Sequence, residues 1–289
     1  KLFVCLFIIL LPGHDAFCQN EMTKLDFKCR NGYLDFYLYS PQTDTIKDHP
    51  KPLVIVLHGC SQSASSLSIQ SGWNMLADRY NFYVLYPQQK LFKNPSNCFN
   101  WYISKNIQKD SGELYCIKQA IDYVKSNCFI DSNMIFSYGV SAGAVMSMAL
   151  MSCYPEIIKA GACLAGLPYF YSDSLKSKFS GYKNLKNYST QELESFVYSQ
   201  NSDYKGKYPK LIIVHGKKDV VVPIKNGYSI LRQWKSIHHI VDGDVEETVD
   251  FMNCKGLIKK LYFDANKEAK IVFYEMEDLG HALMVDPGK

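Results

Sequence analysis

Segments that favour strands alternate with segments that favour helices along most of this chain, and this alternation limits the folds open to it. β-Branched and aromatic residues predict strands at residues 34–39, 53–58, 82–86, 134–138, 160–164, 211–215 and 271–274. Apolar residues at helical spacing predict helices at 66–80, 112–126, 142–153 and 224–237. Several strands are continuously apolar, as is typical of strands that helices cover on both faces. We therefore predict an α/β fold, with a mostly parallel central sheet, helices on both faces and an active site at the carboxyl ends of the strands.

The composition is that of a globular protein without a polyanionic partner. Apolar residues make up 47% of the 289 residues and charged residues 21%, which excludes a disordered or fibrous chain. The 32 basic and 28 acidic residues are spread without the concentrated basic patch of a nucleic-acid-binding protein. No linker divides the chain, so we expect a single domain over residues 19–289. Residues 169–208 interrupt the alternation and predict an inserted cap or lid.

The beginning of the chain, residues 1–18, has the features of a secretory signal peptide. Lys1 precedes an apolar run at 2–11, followed by a Pro-Gly pair and a short exit segment. We place cleavage near Cys18 and predict a secreted protein; a buried N-terminal strand is one alternative. Lipid anchoring through Cys18 is another, although Phe17 is bulky where such a signal needs a small residue. No later segment reaches the roughly 18 consecutive apolar residues of a membrane-spanning helix.

Eight cysteines remain once Cys5 and Cys18 leave with the signal peptide. An even number of cysteines in an exported chain predicts disulfide bonds, although it leaves the pairing open. Their spacings lack the paired C-x-x-C clusters that are typical of zinc sites. We therefore predict structural disulfides, no bound metal and no cofactor.

The strongest chemical signal is the motif G-x-S-x-G at residues 139–143. It follows a predicted strand and precedes a predicted helix, which is the context that a nucleophile elbow requires. The sharp turn exposes Ser141, and the N–H of Ala142 at the start of the helix is placed to bind a developing oxyanion. We predict that Ser141 is a nucleophile; the alternative is a chance match in a turn.

A nucleophilic serine needs a histidine base, and the base needs an acid that orients it. His281 lies in a loop after the last predicted strand, where the chain order serine, acid, histidine places the base. Asp219 follows the strand at 211–215 and reaches the same edge of the sheet, so we predict a triad of Ser141, Asp219 and His281. The alternatives to His281 as the base lie in a loop or at strand or helix ends: His49, His58, His215, His238 and His239. The alternatives to Asp219 as the acid lie in a polar segment: Asp242, Asp244 and Asp250.

The loop after the early core strand, LHGCS at residues 57–61, predicts the second half of an oxyanion hole. A glycine in that loop lets the backbone approach a substrate, and the N–H of Cys60 is the natural donor. The side chain of Cys60 is predicted to be half of a disulfide, because Ser141 already fills the position of the nucleophile.

These motifs together resemble the exported esterases of the polyhydroxybutyrate (PHB) depolymerase family, whose relatives include feruloyl and acetylxylan esterases. The matching segments occur in order from about residue 53 to the end: LHGCSQ at 57–62, GWNMLAD at 72–78, VLYP at 84–87, NCFNW at 97–101, the elbow at 139–143, AGLPY at 165–169, HGKKD at 215–219, GH at 280–281 and VDPG at 285–288. As a set they are far more specific than any one of them.

The resemblance implies an α/β-hydrolase fold with the same triad, an oxyanion hole formed by Cys60 and Ala142, and Trp101 at the border of the substrate crevice. The chain departs from the family in two places. Ala144 stands where the family more often has glycine. The chain also ends eight residues after His281 and lacks an initiator methionine, so we expect a fragment at both ends.

The predicted function is that of a secreted serine carboxylic-ester hydrolase acting through an acyl-enzyme on a polyester such as poly(3-hydroxybutyrate) or its oligomers. One alternative is a feruloyl or acetylxylan esterase that acts on plant cell-wall polysaccharide. A second is a binding module that has kept the hydrolase fold without turnover, since a fold alone does not imply activity. The predicted partner is an ester, small or polymeric, and the sequence does not specify an oligomeric state.

A disulfide between Cys60 and Cys98 is also predicted. The oxyanion loop carries Cys60, and the NCFNW segment carries Cys98. Both loops belong to the carboxyl edge of the sheet, so the two side chains are candidate neighbours, provided that their Cα atoms lie within about 7 Å. Such a bridge would fix the Cys60 amide and tether Trp101. The rival interpretation is that each cysteine pairs elsewhere.

Overall fold

The central element of the fold is a twisted sheet that is parallel in its middle and antiparallel at its edges. The computed structural model describes residues 22–30, 34–42, 49–170 and 188–283. In these ranges the sheet has ten strands in the order β1-β2-β4-β3-β5-β6-β7-β10-β9-β8. The strands are β1 Thr23–Lys24, β2 Leu34–Tyr39, β3 Lys51–Leu57, β4 Tyr83–Gln89, β5 Ile130–Val140, β6 Ala160–Leu164, β7 Lys210–Gly216, β8 Val245–Thr248, β9 Leu257–Phe263 and β10 Ala269–Met276.

The six inner strands, from β4 to β10, run parallel to their neighbours. The outer strands β1 and β2 on one side, and β9 and β8 on the other, pair antiparallel. Parallel strands require helical crossovers, and these bring the carboxyl ends of all six inner strands to one edge. This architecture confirms the predicted α/β-hydrolase fold class.

Helices connect most of these strands. They are α1 Ala64–Ser71, α2 Trp73–Tyr80, α3 Gly112–Asn127, α4 Ala142–Cys153, α5 Thr190–Tyr198 and α6 Lys225–Ile237. Short 3₁₀ turns lie at Ser104–Asn106 and Phe251–Asn253. Of the helices in the described ranges, none combines the length and the apolar character that a membrane span requires.

Strand β3 shows why the middle of an inner strand is apolar without alternation. Leu53, Ile55 and Leu57 are buried in a core that also contains residues of α3 and α4. Val54 and Val56, which alternate with them, are buried in a second core against α1 and α2. Because successive side chains of a strand point to opposite faces, a strand between two cores must be apolar at every position.

The boundaries of three predicted elements match the structure, and one helix is divided. The strands at 34–39 and 160–164 and the helix at 142–153 have the predicted limits. The helix predicted at 66–80 is two helices, because Gly72 between them adopts φ 70°. This left-handed conformation is one that glycine adopts without steric cost and that no α-helix can contain.

Two predictions concern residues that lie wholly or partly outside the described ranges. The signal peptide at 1–18 lies entirely outside them, and so do residues 171–187 of the predicted lid. The described parts of that segment are residues 169–170 and 188–208, and the second part contains α5. The Gln233 side chain of α6 donates to the carbonyl oxygens of Leu193 and Tyr169, so α5 is joined to the body of the fold.

Candidate active site

Ser141 occupies a sharp turn between β5 and α4. Its backbone has φ 53° and ψ −117°, a conformation that costs an ordinary residue about 1–3 kcal/mol and that is concentrated at functional sites. Its N–H donates to the Leu164 carbonyl oxygen of the neighbouring strand at 2.9 Å, which holds the turn against the sheet. The sequence motif therefore predicted both the position and the geometry of this residue.

The close approach of two backbones explains the second glycine of the motif. A Cβ atom on Gly143 would lie 2.1 Å from the Leu57 carbonyl oxygen and 2.6 Å from that of His58. The first turn of α4 therefore packs directly on the loop that carries Cys60. The elbow and the predicted oxyanion loop are in contact, and glycine permits this contact.

We expect Gly143→Ala to lower the free energy of unfolding by about 1–3 kcal/mol, the usual cost of overpacking. Either α4 or the 58–60 loop must move to make room for the added Cβ. The matched control is Gly280→Ala, where the added Cβ has only the Lys218 carbonyl oxygen as a neighbour, at 4.0 Å. Denaturant unfolding of both variants measures the difference. Equal stability of the two variants would contradict the close approach.

His281 lies between Ser141 and Asp219. Its Nε2 atom is 3.1 Å from Ser141 Oγ, and its Nδ1 atom is 2.7 Å from Asp219 Oδ2. A carboxylate only accepts, so Nδ1 carries the proton and donates to Asp219, and Nε2 presents its lone pair to the serine hydroxyl. The three residues predicted from the sequence are thus brought into one hydrogen-bonded chain.

Asp219 is held by the backbone that follows it. Its Oδ1 atom accepts the N–H groups of Val221 and Val222 at 2.9 and 2.8 Å, which leaves Oδ2 for His281. The residue is 4% exposed. Charge-assisted hydrogen bonds from two backbone amides fix the direction of the carboxylate.

The rival acids lie elsewhere. Asp242 pairs with Lys235 and Asp244 with Lys267. Asp250 accepts the N–H of Gly256 at 2.7 Å. Each of these carboxylates is therefore bound in its own surface loop, and only Asp219 among the candidates contacts His281.

A cavity of about 340 Å³ opens beside Ser141. It is lined by Gly59, Cys60, Gln62, Val140, Ser141, Ala165, Val221, His281, Ala282 and Leu283. The backbone of Cys60 thus borders the same space as the serine. Trp101 is not part of this wall; it is 7% exposed and belongs to the core, where it packs edge-to-face on Tyr102. The structure does not bring Trp101 into contact with the cavity, and its predicted role in substrate binding remains a prediction.

Two disulfides are present in the described residues. Cys60 is bonded to Cys98 with a Cα–Cα distance of 4.1 Å, which confirms the predicted pair. A second bond joins Cys29 to Cys116. Among the other described cysteines, Cys153 and Cys163 are buried thiols and Cys254 is an exposed thiol. No cluster of three metal-ligating side chains occurs in the described ranges.

His215 and His58, alternatives to His281 at the ends of two strands, are both buried away from Ser141 Oγ in their hydrogen bonding. His215 is buried behind the acid, with Nε2 2.7 Å from the Val222 carbonyl oxygen and 3.7 Å from Asp219 Oδ2. Burial lowers the pKa of His215. His58 lies beside the oxyanion loop. The signal that could have drawn attention to both was the pair of His-Gly dipeptides at the ends of inner strands.

A family model and several known proteins match this chain. The family model described as "Esterase PHB depolymerase" matches residues 34–248. Poly(3-hydroxyalkanoate) depolymerase C of Paucimonas lemoignei is 34% identical over 82% of this chain and 56% of its own length. Feruloyl esterase B of Talaromyces funiculosus is 27% identical over 88% of this chain and 71% of its own length. The chain therefore spans little more than half of the first of these relatives.

A solved structure shares the fold over almost the whole molecule. The acetyl xylan esterase from Aspergillus awamori superposes with a TM-score of 0.78 at 20% sequence identity, covering 90% of this chain and 94% of that one. At this level of identity the likeness shows the fold alone.

Proposed function

The chain belongs to the esterase PHB depolymerase family, and from this premise we propose that it is a serine carboxylic-ester hydrolase with a Ser141, Asp219 and His281 triad. The observation that carries the proposal is the unbroken hydrogen-bonded chain from Ser141 Oγ through the His281 ring to Asp219. An isolated elbow could arise without catalysis. A serine and a base in the productive tautomer that line one cavity, with a buried acid fixed behind the base, meet the geometric requirements of an acyl-transfer site.

The reaction follows from the positions of these groups. Ser141 Oγ attacks the ester carbonyl carbon while His281 Nε2 takes the hydroxyl proton. The tetrahedral intermediate then expels the alcohol, which receives that proton from His281, and leaves an acyl group on Ser141. His281 next takes a proton from a water molecule while the water oxygen attacks the acyl carbonyl carbon. The second tetrahedral intermediate then expels the Ser141 oxygen, which receives that proton from His281, and the carboxylic acid leaves.

The N–H groups of Cys60 and Ala142 would stabilise the oxyanion of both tetrahedral intermediates. Cys60 borders the cavity beside Ser141, and Ala142 is the first residue of α4. Backbone amides at a helix N-terminus and in a tight loop are fixed before the reaction begins, so they stabilise developing charge without reorganising.

We propose a neutral aliphatic polyester, or its oligomers, as the substrate. Val140, Val221 and Leu283 give the cavity an apolar wall, and its described lining residues include no lysine, arginine, aspartate or glutamate. This environment suits an uncharged ester, and a poly(3-hydroxyalkanoate) depolymerase is among the relatives. Feruloyl and acetylxylan esterases are also among them, so esters on plant cell-wall polysaccharide are the second candidate.

A turnover panel tests the function and separates the two substrate classes. Hydroxybutyrate oligomers, acetylated xylan and methyl ferulate are each assayed with the wild-type chain and with Ser141→Ala as the blank. The highest kcat/KM on hydroxybutyrate oligomers is the expected result. Turnover of only methyl ferulate or acetylated xylan would favour the second class. No turnover of any ester, together with no labelling of Ser141 by a fluorophosphonate, would indicate a binding module.

We also propose that the protein is exported. Disulfides persist in oxidising compartments, and two of them occur in the described residues. Expression of the full chain with its first 18 residues, followed by analysis of the medium for mature protein, tests this proposal. Retention of an unprocessed chain inside the cell would contradict it.

The two disulfides should differ in their effects on activity. The loops that they close have sequence separations of 38 and 87 residues, and loop-closure entropy changes only slowly with length. Removing either disulfide should therefore lower the free energy of unfolding by about 4 kcal/mol. We expect Cys60→Ala/Cys98→Ala to lower kcat roughly tenfold or more as well, because the Cys60 amide loses an anchor. Cys29→Ala/Cys116→Ala is the matched control. Steady-state kinetics of both variants, measured at a temperature below their unfolding transitions, test this expectation. Equal kcat values for the two variants would contradict it.

A further inference from the structure

Ala165 is an alanine in a backbone conformation that favours glycine. It follows β6 directly, is 4% exposed and has φ 50°. In this left-handed region the Cβ atom of an L-residue crowds the following carbonyl oxygen, so glycine, and less often asparagine or aspartate, is the usual occupant. Alanine has no polar side chain that could compensate for the strain. Because strained residues cluster at functional sites, the methyl group of Ala165 needs a physical reason.

The turn at Ala165 repeats the turn at Ser141 one strand further along the sheet. The Ser141 N–H donates to the Leu164 carbonyl oxygen of β6, and the Ala165 N–H donates to the Val214 carbonyl oxygen of β7, both at 2.9 Å. Each strand thus holds the turn that ends its neighbour. Among the described residues that line the cavity beside Ser141, these two have a positive φ. The nucleophile and Ala165 are therefore the two strained points of one cavity wall.

The residue after Ala165 fixes this turn against α4. A Cβ atom on Gly166 would lie 2.5 Å from Cys163 Sγ and 2.7 Å from Ala144 Cβ. The backbone at Gly166 therefore packs directly on the first turn of α4, the helix that begins at the nucleophile elbow. Since the turn is bound to β7 on one side and packed on α4 on the other, a substrate cannot push Ala165 aside. Its methyl group is a rigid part of the wall.

Strand order and depth assign a direction to each group on the reacting carbon. Because β3, β5 and β6 are consecutive in the sheet, the loop with Cys60 and the turn with Ala165 lie on opposite sides of Ser141. The proposed oxyanion hole takes the oxygen on the β3 side. The alcohol leaves beside His281, which supplies its proton and is 23% exposed at the rim. The acyl chain is left with the deeper side, at the end of β6.

We propose that Ala165 is a specificity-determining residue, whose methyl group limits the length of the acyl chain that the cavity accepts. The inference rests on the proposed esterase function and deepens it, because it makes short acyl groups, of the size of butyryl or 3-hydroxybutyryl, the preferred ones. A glycine at this position would relieve the backbone strain but would deepen the cavity. Ala165 contacts the acyl chain and takes no part in proton transfer.

Two substitutions change this wall in opposite directions without adding strain. Ala165→Gly removes the methyl group, and Ala165→Asn adds bulk in a residue that tolerates the left-handed region. The measurement is kcat/KM with p-nitrophenyl acetate, butyrate and octanoate. We expect the wild type to prefer the two short esters, and Ala165→Gly to raise the octanoate-to-acetate ratio roughly tenfold, as for a change of one methyl-sized group in an apolar pocket. Ala165→Asn should lower that ratio below the wild-type value.

The matched control is Ala162→Gly. Ala162 lies within β6, where it is in register with Tyr138 of β5 and Ile212 of β7, and it is not one of the described residues that line the cavity. Its replacement should leave the ester ratio unchanged and lower the melting temperature by roughly 2 °C, because glycine weakens an ordinary strand. Ala165→Gly relieves strain, so its melting temperature should not fall below that of the wild type.

A second series, with a constant butyryl group and methyl, butyl or benzyl alcohol, separates the acyl side from the alcohol side. The relative kcat/KM values of these three esters should be the same in the wild type and both Ala165 variants. An unchanged octanoate-to-acetate ratio in Ala165→Gly, a changed alcohol series, or an equal shift in Ala162→Gly would overturn the proposal while the esterase function stands. If the wild type hydrolysed no ester of either series, the proposed function would fail, and this inference with it.

Discussion

Replacing Ser141 by alanine is expected to lower kcat for ester hydrolysis by about 10⁶ while the protein stays folded. The loss is large because no other group can form the acyl-enzyme, and binding alone does not replace the covalent route. The fold should persist because the serine side chain contacts His281 at the rim of a cavity and fills no core space. Turnover of a p-nitrophenyl ester and the near-ultraviolet circular dichroism of the same sample measure the two parts of the expectation.

The matched control is Ser147→Ala. Ser147 lies on α4 two turns further along, is fully buried and shares a 2.8 Å hydrogen bond with Ser137. Loss of this hydroxyl should cost about 1 kcal/mol of stability without changing kcat. A Ser141→Ala variant that kept a tenth of wild-type turnover would show that another residue is the nucleophile.

The inner part of the fold was predictable because its strands lie between two cores. Burial on both faces gives β3 and β6 an apolar pattern that the sequence displays directly. The edge strands have no such pattern. All four residues of β8 are exposed, and the strand forms by pairing with the edge of β9. Because no apolar residue of β8 is buried, its sequence lacks the hydrophobic periodicity that predicts a strand.

Helix α5 is a different kind of omission, because its signal was present in the sequence. Ser189 and Glu192 form a capping box, in which the Ser189 hydroxyl accepts the Glu192 N–H and the Glu192 carboxylate accepts the Ser189 N–H. The pattern S-x-x-E is a start signal for a helix. The interruption of the strand–helix alternation predicts a lid here, whereas this local capping signal predicts a helix within the same segment.

The site was predictable where chemistry follows chain order and unpredictable where it depends on packing. Ser141, Asp219 and His281 each follow an inner parallel strand, so topology alone brings them to one edge. The placement of Trp101 in the core depends on how the 94–106 loop folds over buried Glu113, which accepts both the N–H and the side-chain amide of Asn100. A buried carboxylate that organises a loop leaves no periodic signal in a sequence.

Asp219→Asn is expected to lower kcat by roughly 10⁴, the second largest effect, because it reverses the tautomer of His281. The substituted side chain can keep its oxygen toward the N–H groups of Val221 and Val222, since Oδ1 accepts both in the wild type. Its NH₂ group then faces His281 Nδ1, where the carboxylate oxygen stood at 2.7 Å. Two donors cannot share that contact, so Nδ1 loses its proton and Nε2 gains one.

A His281 ring protonated on Nε2 cannot take the proton of Ser141, although all the heavy atoms stay in place. The Asp219→Asn variant therefore distinguishes a catalytic role of Asp219 from a role in stabilising the fold. The fold and the cavity should be unaltered, kcat should fall and KM should change little. Asp242→Asn is the matched control, since Asp242 pairs with Lys235 in an exposed loop and should tolerate the change. Steady-state kinetics on one ester with both variants provide the measurement. If Asp242→Asn lost more activity than Asp219→Asn, the orienting acid would have to be sought in the loop after α6, and the hydrogen bond between Asp219 and His281 would be structural only.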